Sequence, residues 1–134
     1  MPLLLVLEDN PADLRKAVDF AKRAGFTEFE VSNLAPDAKL YLEKAMSGKV
    51  PRPDAMLVEL TLGVESGFEL IRFWHSRPQL KQIPVVVWTV ARGTQLEICR
   101  YFGVRHLLSK DDDPNVLREA LASIIENSAR DAAS

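Results

Sequence analysis

Five consecutive apolar residues, Leu3 to Leu7, with no polar residue alternating among them, set the strongest constraint on how this chain folds. A strand of that kind has no solvent face. Both of its sides must be covered, which is the situation of a parallel sheet lying between layers of helices. Similar short runs recur at Ala55 to Val58 and at Val85 to Trp88, and weaker strand patterns at Glu28 to Ser32 and His106 to Ser109. Between them, apolar residues recur at helical spacing: Leu14, Ala17, Val18 and Ala21, then Ala38, Tyr41, Leu42 and Ala45, and at the end Leu117, Ala120, Leu121 and Ile124. Strand and helix patterns in alternation predict an α/β fold, a doubly wound parallel sheet with right-handed crossovers.

The punctuation agrees. Asn10-Pro11 and Asp113-Pro114 are helix-start signals, a capping side chain followed by proline in the first turn. Gly25, Gly48 and Gly103 stand where helices should stop. Pro36 opens the second helix, a glycine-containing loop spans Thr61 to Gly67, a third helix follows from Phe68 to about Ser76, and a fourth from about Gly93 to Phe102. The count is five strands and five helices, expected as one domain over residues 1–127. The small, polar stretch 128–134 reads as a flexible tail.

A chain of 134 residues can bury one real core. Its net charge of -2 offers no basic field, and no basic region follows Asn127, so no nucleic-acid surface is expected. No apolar run is long enough to span a bilayer, and no export signal is legible, so no membrane contact and a cytoplasmic location are the default expectations. The single cysteine, Cys99, cannot form an internal disulfide, and its helical stripe with Leu96 and Phe102 makes it a core residue. His75 and His106 lack metal-ligand spacing and read as surface residues. Trp74 and Trp88 read as packing residues.

In a doubly wound sheet the functional crevice lies at the carboxyl ends of the strands. Strand one ends at Glu8 and Asp9, strand three at Glu59, strand four at Thr89 and strand five at Lys110. Taken singly, each could be a solvated polar residue beside a loop. Together they bring three carboxylates, a hydroxyl and an ammonium to one edge. Crowded acids raise one another's pKa values and require a cation, which either a divalent metal such as Mg²⁺ or Lys110 could supply.

These residues, in the segments LLLVLEDNPADLR, PDAMLVELTLGVESGFEL, IPVVVWTVA and GVRHLLSKDDDP, resemble the receiver domain of two-component response regulators over about Leu3 to Asn127. The first segment is similar to the stand-alone regulators that work with bacterial phytochromes. The resemblance implies the flavodoxin-like (βα)5 fold, with strand order 2-1-3-4-5. It also implies Mg²⁺ ligation by Glu8, Asp9, the acceptor-position residue Glu59 and the backbone carbonyl of Thr61. Thr89 matches the switch hydroxyl, Lys110 the lysine after strand five, and Gly67 the glycine before the third helix.

Several positions depart from the family. Glu59 replaces the phosphoacceptor aspartate, Leu107 the aromatic switch residue, Asp111 the proline after the lysine, and Gly63 a loop proline. One added methylene displaces the reactive carboxylate by about a bond length, and misplacement of that order can cost roughly 10²-fold in rate. Glu59 either imitates the phosphorylated state by reaching toward Lys110 and Thr89 or holds a relic pocket together through an ion pair with Lys110. With no ring at position 107 there is no second rotamer to switch to. The expectation is a constitutive protein-binding module, not an enzyme. Its Mg²⁺ binding is weak or absent where Lys110 pairs with Glu59. Arg92, Arg100, Arg105 and His106 are candidates for a face toward a sensor histidine kinase or another signalling protein, and a homodimer is left open. Two rival readings remain. One is a conventional receiver that labels itself with Mg²⁺. The other is a flavodoxin-like cofactor-binding enzyme, against which stands the absence of any glycine-rich phosphate loop.

Overall fold

The computed structural model describes residues 1–62, 65–91 and 93–133. Five parallel strands, β1 (Leu3–Leu7), β2 (Glu28–Ser32), β3 (Ala55–Val58), β4 (Val85–Thr89) and β5 (His106–Ser109), form one sheet in the spatial order β2-β1-β3-β4-β5. The helices are α1 (Pro11–Ala24), α2 (Ala35–Met46), α3 (Phe68–Ser76), α4 (Thr94–Tyr101) and α5 (Pro114–Ala133). This is the flavodoxin-like topology expected from the sequence. Among the described residues no helix is long and apolar enough to cross a membrane.

The unalternated apolar runs are explained by burial on both faces. From β1, β3 and β4, the side chains of Leu5, Leu7, Met56, Val58, Val85 and Val87 enter one core, under α2, α3 and α4. Their neighbours Leu4, Val6, Ala55, Leu57, Val86 and Trp88 enter the other, against Ala17 and Ala21 of α1 and Leu117, Leu121 and Ile124 of α5. Every residue of β1, β3 and β4 is buried, whereas the edge strand β5 is half-buried throughout. Cys99, the buried residue of α4, lies in the first core with no exposure, and burial pushes its thiol up to about 11.

The caps form as their residue types dictate. The Asn10 side chain accepts from the Asp13 amide at 3.0 Å, and Pro11 occupies the first turn of α1. Gly25 ends α1 at φ 117°, a left-handed conformation in which its N–H reaches the carbonyls of Ala21 and Lys22.

Three details differ from the sequence reading. Part of the loop after β3 is ordered as a short antiparallel ladder, Thr61–Leu62 on Glu65–Ser66; Gly63 lies outside the described residues. A single 3₁₀ turn, Pro78–Leu80, precedes β4. Helix α5 continues to Ala133, so most of the stretch read as a tail is helical. Its alanines, 129, 132 and 133, favour helix despite the polar composition.

Among the described residues, Gly67, just before α3, is the glycine crowded by backbone. Its backbone is ordinary right-handed, at φ −64°. A Cβ there would overlap the Glu59 carbonyl oxygen and lie 3.0 Å from the Glu59 carbonyl carbon and 3.1 Å from Leu60 Cα. The Gly67 N–H donates to Leu60 O at 2.9 Å, so the α3 entrance is clamped against the backbone that carries Glu59. Gly67→Ala is therefore expected to lower unfolding free energy by about 1–3 kcal/mol, the usual range for forcing atoms into a packed site. Urea denaturation measures it, and an unchanged midpoint would show that the clamp is slack.

Candidate functional site

The sheet's own hydrogen bonding delivers the site. Beyond the last paired residue of each strand, one further amide reaches across to the neighbouring strand. Glu8 N donates to Ser32 O at 3.1 Å, Glu59 N to Leu7 O at 3.0 Å, and Lys110 N to Thr89 O at 2.9 Å. The parallel ladders thus hold Glu8, Glu59 and Lys110 in register at one sheet edge. Their side chains turn inward and are 3%, 4% and 9% exposed respectively.

Lys110 is the centre. Its Nζ lies 2.6 Å from Glu8 Oε1, 2.8 Å from Asp13 Oδ2 and 3.1 Å from Glu59 Oε1. The ammonium also stands 5.0 Å from the Trp88 ring centroid, a cation–π contact. The remaining carboxylate oxygens of both glutamates are held by backbone amides. Glu8 Oε2 accepts from Asp9 N at 3.2 Å and Asn10 N at 3.3 Å, and Glu59 Oε2 accepts from Leu60 N at 2.8 Å.

Of the residues expected at this edge, the ion pairs bring together Glu8, Glu59 and Lys110. Asp9 is exposed, and Asp13, 27% exposed on the first turn of α1, supplies the third carboxylate. Asp13 stands on a helix, so the pattern of strand ends does not reveal it. The available signal was its position three residues after the Asn10 cap, on a helix whose first turn overlies the carboxyl edge of the sheet. Thr89 has no exposure, and its hydroxyl accepts from Ala91 N at 3.0 Å, closing the turn after β4. Thr61 is exposed and pairs with Ser66 in the short ladder. Leu107 is half-buried against the first core. Arg92 lies outside the described residues. Arg100 and Arg105 are exposed. Arg105 and His106 stand at the start of β5, the opposite end from Lys110, where they line a cavity of about 870 Å³ with Arg52, Asp54 and Lys81. His106, read as a surface residue, is half-buried; burial, reinforced by Arg105, lowers its pKa.

Burial dominates the pKa of Glu8 and raises it, with Lys110 opposing. For Lys110 burial alone would lower the pKa, but the hydrogen bonds it donates to Asp13 and Glu8, with the field of Glu59 and Glu8, outweigh it and raise the ammonium above its usual 10.5. Hard oxygen donors at this density suit Mg²⁺ in principle. Their arrangement does not fit it: Lys110 Nζ lies where the three carboxylates converge, and each glutamate's second oxygen is taken by amides. Among the described residues no group of three or more His, Cys, Asp or Glu is placed to hold a metal ion.

Lys110→Met leaves these acids without a counter-charge and is expected to cost on the order of 3–5 kcal/mol at neutral pH. Acidification should shrink the deficit, because the Glu8 carboxyl, raised by burial, can take a proton and shed its stranded charge. At the alkaline end, a lysine raised in the folded state gives stability that is complete below 10.5 and is lost as pH rises through the higher folded value. The gap between native and variant should stay flat to about pH 10.5 and close beyond it, as read by urea unfolding across pH. A gap unaffected by acid would contradict the charge assignment.

No family model and no curated protein matches the sequence. Solved structures do. The Mn²⁺-bound form of response regulator Rcp1 is 27% identical, with a TM-score of 0.75 over 92% of this chain and 91% of that one. The phosphorylated cyanobacterial phytochrome response regulator RcpA is 26% identical, with a TM-score of 0.76 over 93% and 91%. The bacteriophytochrome response regulator AtBRR is 25% identical, with a TM-score of 0.74 over 92% of each. With the strand order and the strand-end residues already described, these neighbours show that the chain carries the receiver-domain fold of two-component response regulators.

Proposed function

We propose that the chain is a cytoplasmic signalling module of a two-component system. In this reading residues 1–127 form its receiver unit, and it works through protein–protein contact without ordinary phosphorylation at the acceptor position. The observation that carries this reading is the state of Glu59. It is 4% exposed, with one oxygen on Lys110 at 3.1 Å and the other on Leu60 N at 2.8 Å. A carboxylate attacking phosphorus needs a lone pair in line with the donor and a metal to neutralise charge. Here both oxygens are engaged, and an ammonium occupies the convergence point. Leu107 supports the same reading, since it has no ring to swing. The Thr89 hydroxyl bonded to Ala91 N adds to it.

The proposed contact surface runs along α4 and the start of β5. Ile98 and Tyr101 are 41% and 83% exposed there, flanked by exposed Arg100 and Arg105. Exposed aromatic and arginine side chains are the types enriched where proteins meet. A sensor histidine kinase or another signalling protein is the proposed partner, and a second copy of the chain is the other occupant.

Acetyl phosphate with Mg²⁺, followed by intact-mass measurement, tests the reading. The native protein is expected to gain no phosphoryl group, or to gain it at least about a hundredfold more slowly than Glu59→Asp. The shorter variant is expected to label in part, because Lys110, Thr89 and Glu8 remain. Stoichiometric label mapped to Glu59 in the native protein would overturn the reading.

A further inference from the structure

We infer that Lys110, positioned by Asp13, is a built-in cation standing in the seat of a divalent metal, so that the pocket of the native protein is complete without one. This deepens the reading of Glu59 as a non-acceptor and rests on it.

The argument is geometric. A divalent ion at this edge would have to gather oxygens from β1 and β3, the strands that end at Glu8 and Glu59. Those oxygens already converge on one ammonium at 2.6 and 3.1 Å. A lysine carrying only these two contacts could withdraw when a metal arrives. Lys110 has a third, to Asp13 at 2.8 Å, on an element that belongs to neither strand. Asp13 is itself fixed, since its amide is capped by Asn10 at 3.0 Å. The Trp88 ring 5.0 Å from Nζ gives the ammonium an aromatic face as well. To enter, a metal would have to break three ion pairs and strip amide hydrogen bonds from Glu8 and Glu59. Buried groups so satisfied lose more than they regain unless every contact is replaced. Three carboxylates against one ammonium leave an excess of negative charge. Solvent reaching the partly exposed Asp13 relieves some of it, as does the raised proton affinity of Glu8. In this arrangement Asp13 is a positioning residue: it acts through Lys110.

The test uses the native chain and two variants. Calorimetric titration with MgCl₂ or MnCl₂ at neutral pH, with tryptophan emission followed in parallel, should show no saturable binding to the native protein at millimolar metal. Lys110→Ala should bind Mn²⁺ at least about tenfold more tightly than the native protein, and Mn²⁺ should raise its melting temperature while leaving that of the native protein unchanged. Because Lys110→Ala is destabilised, Asp13→Asn provides a second readout. Two of the three ion pairs remain, the fold is kept, and acylation of Lys110 by a small amine reagent, mapped by mass spectrometry, should run several-fold faster than in the native protein. Saturable metal binding to the native chain that shifts tryptophan emission would overturn the inference. So would Lys110 reacting at the same rate with and without Asp13. A native protein that binds Mg²⁺ yet takes no label defeats this inference alone, whereas one that labels at Glu59 without binding metal defeats the proposed function alone.

Discussion

One buried ammonium holds together the functional edge of this domain. Lys110 and Glu8 are 102 positions apart, and their contact joins the end of β5 to the end of β1, with β3 and α1 tied in through Glu59 and Asp13. Charges withdrawn from water are tolerable only when each is matched and each spare lone pair is satisfied. Here Glu8, Asp13 and Glu59 all face the ammonium, amides from the residues next in sequence take the second oxygens of the two glutamates, and the partly exposed Asp13 leaves the excess negative charge to solvent. Among the described residues no buried side-chain nitrogen or oxygen lacks a hydrogen-bond partner. Such a cluster is high-stakes: complete, it fixes one geometry, and with a member removed it leaves acids stranded.

Everything that makes the cluster possible is a consequence of a sheet buried on both sides. Alternate residues of β1, β3 and β4 serve two separate cores, which fixes the register of each strand, because a slip of one residue would exchange the cores. With the register fixed, the first polar residue after each strand emerges at a determined height. Gly67 secures the same edge from outside, since the α3 entrance can approach the Glu59 backbone only where there is no Cβ.

The strands and their order were legible because two-sided burial leaves an unmistakable mark, a run without alternation, and the helices because proline, asparagine and glycine stand at their ends. Glu8, Glu59 and Lys110 were legible because strand ends are where this topology places its chemistry. Asp13 was not, since it reaches the site from a helix, and a carboxylate in a first turn ordinarily does no more than favour the dipole. Asp9 ends strand one with Glu8 and matches the second acid of the family's pair, but successive residues at a strand end point to opposite sides, and Asp9 is exposed. The ladder after β3 escaped because two-residue strands carry too little pattern to be seen. The helical end of α5 is hidden in the sequence because its small, polar composition masks the helix propensity of its alanines.

Cys99 has a consequence beyond packing. With its sulfur fully enclosed and its thiol pushed up to about 11, only about one molecule in ten thousand carries a thiolate at neutral pH. Peroxides and alkylating reagents therefore find almost no nucleophile while α4 is seated. The thiol becomes reactive only when that helix lifts, so its rate of modification is a clock for local opening on the side of the molecule that carries Tyr101 and Arg100.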